Sequence, residues 1–134
     1  TQTFGDAVDF GNLTQSRGHM GSASSQTRGV WFGGSIYVAP GPAYTLYDII
    51  DYVTLATEGN AIDFGNLAVA KHFTTGGVSN SIRGAHGGSS TDPATLNVIE
   101  FVTIASTGNA TDFGDLTTLQ YSCAGASDAH GGLG

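Results

Sequence analysis

A single cysteine, Cys123, stands in this chain of 134 residues, so neither an intrachain disulfide nor a cysteine-based metal cluster can form. Set between Ser122 and Ala124, it reads as a small buried residue rather than a nucleophile. Positive charge is almost as scarce. Lys71, Arg17, Arg28 and Arg83 face eleven acids, giving a net charge of −7. Such a surface repels phosphate backbones and anionic lipid, which argues against nucleic acid and membrane surfaces as partners. No apolar run approaches the ~18 residues of a membrane span. The opening TQTFGDAV lacks a basic region and a hydrophobic stretch, and is read as carrying no signal peptide. Charged residues make up 11% of the chain, about half the usual share.

Glycine is abundant instead, at 21 residues. Each glycine costs about 1 kcal/mol inside a helix, and no long stripe of period 3.6 appears, so helices are nearly excluded. Aromatic and β-branched residues recur at regular places, which is not the composition of a disordered chain. The expected class is all-β in one domain, 1–134.

The regularity is a repeat. Glu100 to Leu116, EFVTIASTGNATDFGDL, is copied by Asp51 to Leu67, DYVTLATEGNAIDFGNL, with ten of 17 positions identical. A shortened copy, FGDAVDFGNL, runs from Phe4 to Leu13. The triplets Asp9-Phe10-Gly11, Asp63-Phe64-Gly65 and Asp112-Phe113-Gly114 begin 54 and 49 residues apart. A period near 50 signals a repeat architecture, with units near 1–50, 51–99 and 100–134. Each unit carries a basic position (Arg17, Lys71, then Gln120) and a double glycine (Gly33-Gly34, Gly87-Gly88, Gly131-Gly132). From the triplet aspartate to the double glycine is 24, 24 and 19 residues, so the third unit has a shorter connection. The runs Leu46 to Leu55 and Leu96 to Ile104 read as strands closed by Gly-Asn turns, apolar on both alternating faces and therefore covered from two sides.

This order of motifs resembles the kelch repeat of β-propellers. Arg17-Gly18-His19 is similar to the family's basic Gly-His opening, the double glycines to its diglycine, and Asp51-Tyr52 and Glu100-Phe101 to its acidic-aromatic pair. Phe10, Phe64 and Phe113 stand near the family's tryptophan. The combination of DFG[DN]L with TGNA further resembles tandem repeats in structural proteins of tailed phages, marine and cyanobacterial ones above all, over virtually the whole chain. The resemblance implies four-stranded propeller blades and a virion part: a capsid knob or decoration, or a tail-fibre segment on the particle surface. Its partners would be other virion proteins and, in a rival reading, a host glycan bound by a carbohydrate-binding adhesion module.

A propeller needs about four to eight blades, and this chain holds two full ones plus a half at each end. Three solutions stay open. Copies of the chain complete a ring, a homotrimer being favoured; or three units close as a pseudo-threefold β-prism or trefoil-like monomer; or the chain is a piece of a longer array.

Chemistry is sparse. Asp-Phe-Gly holds magnesium in protein kinases, but here it occurs three times without a glycine-rich loop or catalytic loop. The expected roles are structural: the aspartate caps a turn, the phenylalanine packs between units, and the glycine takes a backbone shape others cannot. His86-Gly87-Gly88 and His130-Gly131-Gly132 resemble lipase oxyanion glycines but lack a nucleophile elbow; Phe32 aligns with His86. His19 and His72 would form a metal site only if units faced one another. Arg28 and Arg83 are expected to pair with a triplet aspartate or with Asp51 and Glu100. Trp31, Tyr37, Tyr44 and Tyr47 are expected to cluster at the Pro40-Gly41-Pro42 loop as a ligand or partner contact. No catalytic residue, metal ligand or cofactor is assigned, and an enzyme is not the expected reading.

Overall fold

The structure, a computed structural model, describes residues 4–41 and 43–127. His130, Gly131 and Gly132 lie outside the described residues. The protein is all-β, and the described residues contain ten strands and no helix. The first four-stranded sheet has the order β1-β2-β5-β6, from Gly21–Ser24, Arg28–Phe32, Ile49–Thr54 and Ile62–Asn66. The second has the order β10-β9-β8-β7, from Thr111–Asp115, Thr95–Thr103, Arg83–Ser90 and Gly77–Ser79. Between β2 and β5, a two-stranded hairpin is made of β3 (Ser35–Val38) and β4 (Ala43–Leu46). All strand pairs are antiparallel.

Local chemistry repeats with the sequence. The β1–β2 turn is held by Ser25, whose hydroxyl accepts from the Thr27 and Arg28 amides. Asn80 does the same between β7 and β8, its Oδ1 accepting from Ile82 N at 2.8 Å and Arg83 N at 2.7 Å. Such self-capping turns suit Ser and Asn. Each sheet takes its fourth strand from the next Asp-Phe-Gly copy, with a register shift at Ile50/Asp51 in one and Asp112/Gly114 in the other.

The core lies between the sheets. Val30, Phe32, Ile50, Phe64 and Leu67 come from the first sheet and its exit, and meet Val102 and Ile104 of the second. Phe32 and Ile50 are fully buried. On the opposite side of β5, Asp51 is also fully buried, so this strand is covered from both faces.

Two expectations change. The run Leu46 to Leu55 is not one strand: the chain leaves β4 after Leu46 and re-enters the sheet at Ile49. The reason lies in the backbone bonds at the bend, where Tyr47 donates to Gly34 O and Asp48 O accepts from Leu67 N. The repeat alignment also slips by one residue. Trp31 pairs with Asp51 and His86 with Glu100, so Trp31, not Phe32, is the equivalent of His86. Gly33 and Gly88, with φ of +55° and +73°, are then the matching glycines.

Candidate functional site

The Asp-Phe-Gly triplets build one turn three times. Asp9, Asp63 and Asp112 each accept, through Oδ1, the amide of the glycine two residues on, at 3.0, 3.1 and 2.9 Å. The glycines Gly11, Gly65 and Gly114 have φ of +149°, +151° and +142°, which side chains rarely adopt. The turned strand then clasps the Gly-Asn-Ala turn of the next unit. Phe10 O accepts from Gly59 N at 2.9 Å, Asn12 O from Ala61 N at 2.8 Å, and Asn60 Oδ1 from Asn12 N at 3.0 Å. The second junction repeats this bond for bond: Gly108 N to Phe64 O at 2.7 Å, Ala110 N to Asn66 O at 2.9 Å, Asn66 N to Asn109 Oδ1 at 3.0 Å. A Cβ on Gly11 or Gly65 would overlap the carbonyl oxygen of Gly59 or Gly108, so the clasp requires glycine there twice over.

Phe64 fills the joint between the sheets at 3% exposure, whereas Phe10 is 38% and Phe113 63% exposed. The phenylalanine therefore packs between sheets only at the junction that has a described sheet on each side.

The connecting segments carry a second lock. Arg17 reaches Asp51 at 3.0 Å, donates Nε to Gly33 O at 2.7 Å, and both side chains are fully buried. Thr14 adds its amide and hydroxyl to the same carboxylate at 3.0 and 2.7 Å. In the next unit Lys71 pairs with Glu100, and Ala68 N donates to Glu100 Oε1 at 3.0 Å. His86 Nε2 stands 3.4 Å from Glu100 Oε2, and neither ring nitrogen makes a well-formed hydrogen bond. Burial pushes the Glu100 carboxyl up, but His86, Lys71 and Ala68 outweigh it and hold the group at about 2. Of these neighbours, Lys71 and the Ala68 amide have hydrogen-bonding geometry and carry the effect. Burial, helped by Lys71, lowers His86 below its ordinary value, which leaves it neutral.

The acids are thus met by Arg17 and Lys71, and the expected partners Arg28 and Arg83 do something else. Arg28 lies 4.5 Å over the Tyr52 ring and donates to Ile104 O at 2.9 Å across the sheets; Arg83 lies 4.7 Å over Phe101. The strand alternation explains this, since Arg28 and Tyr52 share the face opposite Asp51.

The aromatic cluster also divides. Tyr37 and Tyr44 face each other across the β3–β4 hairpin with ring centroids 5.6 Å apart. Both are exposed, and Tyr44 also meets the rings of His19 and His72 at 5.9 and 5.1 Å. Tyr47 sits at the bend after β4, half-buried. Trp31 is not part of this group. It points from β2 into a recess of about 360 Å³ lined with Phe10, Leu13, Val53 and Leu55. Its β2 neighbour Phe32 faces the other way, into the core. His19 and His72 meet through the Ser35 hydroxyl, at 3.2 and 3.0 Å from their Nδ1 atoms. Their places in the repeat differ by one residue: Gly18 and His72 form the equivalent bridges to Ser35 and Ser90, and Phe73 takes the φ near +55° of His19. Among the described residues no three His, Cys, Asp or Glu side chains group where they could hold a metal ion.

The clasp was hidden in the sequence. Gly-Asn reads as a local hairpin turn, yet Asn60 serves a residue 48 positions upstream. The signal was the fixed pairing of DFG with GNA in the two full copies. No family model matches the chain, and no curated protein matches it.

Proposed function

We propose that the chain is a non-enzymatic structural part of a tailed-phage virion, a capsid knob or decoration or a tail-fibre segment, displaying a rigid β-repeat surface. In this reading the two four-stranded sheets are kelch-like blades, and other virion proteins are the partners. The supporting observation is that the most elaborate chemistry of the molecule, two matching clasps and two buried ion pairs, is spent on joining repeats rather than on a pocket. The resemblance of DFG[DN]L and TGNA to phage repeats points the same way. The test is immunogold labelling of purified marine and cyanobacterial phage particles with an antibody raised against the chain. Label on the capsid or fibre is expected; label confined to host material would sink the assignment.

The hairpin favours a second reading, a carbohydrate-binding adhesion module for host glycan. Among the described residues only the first unit carries a hairpin such as β3 and β4, and Tyr37 and Tyr44 present exposed rings there, a common platform for sugars. A host polysaccharide array distinguishes the readings. Binding lost in Tyr37→Ala and Tyr44→Ala would make adhesion the leading function.

A further inference from the structure

The β3–β4 hairpin forms a sheet of its own, paired with neither four-stranded sheet. Its base is tied by the bridge between Gly18 and Ser35 and by Tyr47 N on Gly34 O. Its strands expose Ile36, Tyr37, Val38 and Tyr44. An element with so few buried apolar contacts opens at low free energy. A side-chain group fastens its inner end. The Ser35 hydroxyl, on a residue 2% exposed, stands between His19 Nδ1 at 3.2 Å and His72 Nδ1 at 3.0 Å. Tyr44 of β4 rests against both imidazoles.

A hydroxyl has one proton to give and two lone pairs with which to accept. While both imidazoles are neutral, one donates Nδ1–H to Ser35 and Ser35 donates to the other. One added proton fits as well. His19 is exposed, so water supports its charge; it then donates to Ser35, and Ser35 donates to His72. A second proton does not fit. His72 is 1% exposed, and a proton on its Nδ1 meets an oxygen that already accepts from His19. The hydroxyl proton then loses its acceptor in a buried place. Two positive rings would also stand with centroids 6.1 Å apart. Of the groups facing His72, His19 comes from the loop before β1, Tyr44 from β4 and Asp92 from the β8–β9 turn. Arg17 and Lys71, the charged neighbours along the chain, are occupied by Asp51 and Glu100. Burial lowers His72 below its ordinary value, Asp92 acts against this, and His19 adds to it.

We propose that His19, Ser35 and His72 form an acid-released latch on the β3–β4 hairpin, closed with at most one added proton and open when both imidazoles are charged. Because His72 is lowered in the closed form, closure is fully favoured above 6.5 and weakens as pH falls below that. Opening takes Tyr44 off the two rings, so the Tyr37–Tyr44 pair is held at neutral pH and loosened in acid. The latch depends on neither the virion nor the glycan reading.

Amide hydrogen exchange read by NMR on the whole chain tests it, corrected for the intrinsic pH dependence of exchange. Opening takes up one proton, so protection of the β3 and β4 amides is expected to fall by up to about tenfold per pH unit below 6.5. His72→Phe keeps a ring in the buried place and removes the proton site; its hairpin protection is expected to stay level with pH. His19→Asn suits the left-handed backbone of this exposed position, φ +56°, and removes the competing charge. A several-fold smaller loss in acid is expected there, and this exposed site keeps the test open if the buried substitution disturbs folding. The β2 and β5 amides in the same spectra separate local opening from the loss at His86, which acts on the whole fold. Hairpin protection that stays level with pH in the wild type, or that falls as steeply in either variant as in the wild type, would overturn the proposal.

Discussion

The two sheets place a buried ion pair in the same slot and build it from different parts. In the first, a long cation meets a short acid, Arg17 on Asp51; in the second a shorter cation meets a longer acid, Lys71 on Glu100. Length moves from one partner to the other and the span of the slot is kept. The supporting bonds are not kept. Asp51 takes two bonds from Thr14, and Arg17 also holds Gly33 O. Glu100 has Ala68 N alone besides Lys71, with His86 close by and poorly aligned. A repeat can therefore preserve a charge pair while letting its surroundings drift, and the poorer surroundings should show in stability.

The largest effect is expected from removing one partner. Glu100→Gln leaves the Lys71 ammonium buried and uncompensated, at a cost of about 3–5 kcal/mol in urea unfolding. Asp51→Asn is expected to cost less, because Arg17 retains Gly33 O. Equal costs would mean that the supporting bonds do not matter. Lys71→Met combined with Glu100→Leu should recover most of the loss.

Acid comes next. Glu100 is lower when folded than when unfolded, so its contribution is full above about 4.5 and drains as pH falls toward about 2. That shift corresponds to on the order of 3 kcal/mol. His86 is also lowered on folding, so its contribution is full above 6.5 and is lost as pH falls below that. Unfolding midpoints against pH should decline in both windows. His86→Phe should flatten the upper window and leave the lower; a decline starting only below pH 4 would remove His86 from the account.

The clasp gives a matched pair. Gly65→Ala and Gly114→Ala impose the same backbone strain, but only the first meets a neighbouring carbonyl. Losses of about 2–4 and about 1 kcal/mol are expected, with the difference reporting the clasp. The smallest effect is expected at Asn60→Ala and Asn109→Ala, each removing one acceptor for about 1 kcal/mol. Similar values at the two sites would support the equivalence of the junctions.

Much of this was legible from the chain. The period, the strands around Ile50 and Ile99 and the all-β class followed from composition and copying alone. Partners were harder. A repeat says where a residue lies within its unit, not which unit it touches, so the reach of Asn60 back to Asn12 was invisible. Arg28 seemed to need an acid because charge is scarce here; an aromatic ring and a carbonyl across the joint leave no such mark in a sequence. Trp31 was drawn to the tyrosines by proximity along the chain, although strand alternation sends it away from its neighbour Phe32. The bend at Tyr47 depends on bonds to Gly34 and Leu67, which no local pattern encodes.

The clasp also bears on how such a molecule assembles and varies. Every clasp joins successive copies of the triplet, and Arg28 and the shared core join the first sheet directly to the second. Cooperativity should then be a nearest-neighbour property: order nucleates at any one joint and spreads in both directions, while the ends fray first. Whole repeats could be gained or lost by duplication or deletion of the underlying segment, with each surviving joint keeping its partners. Length becomes a variable that can change without redesigning the core.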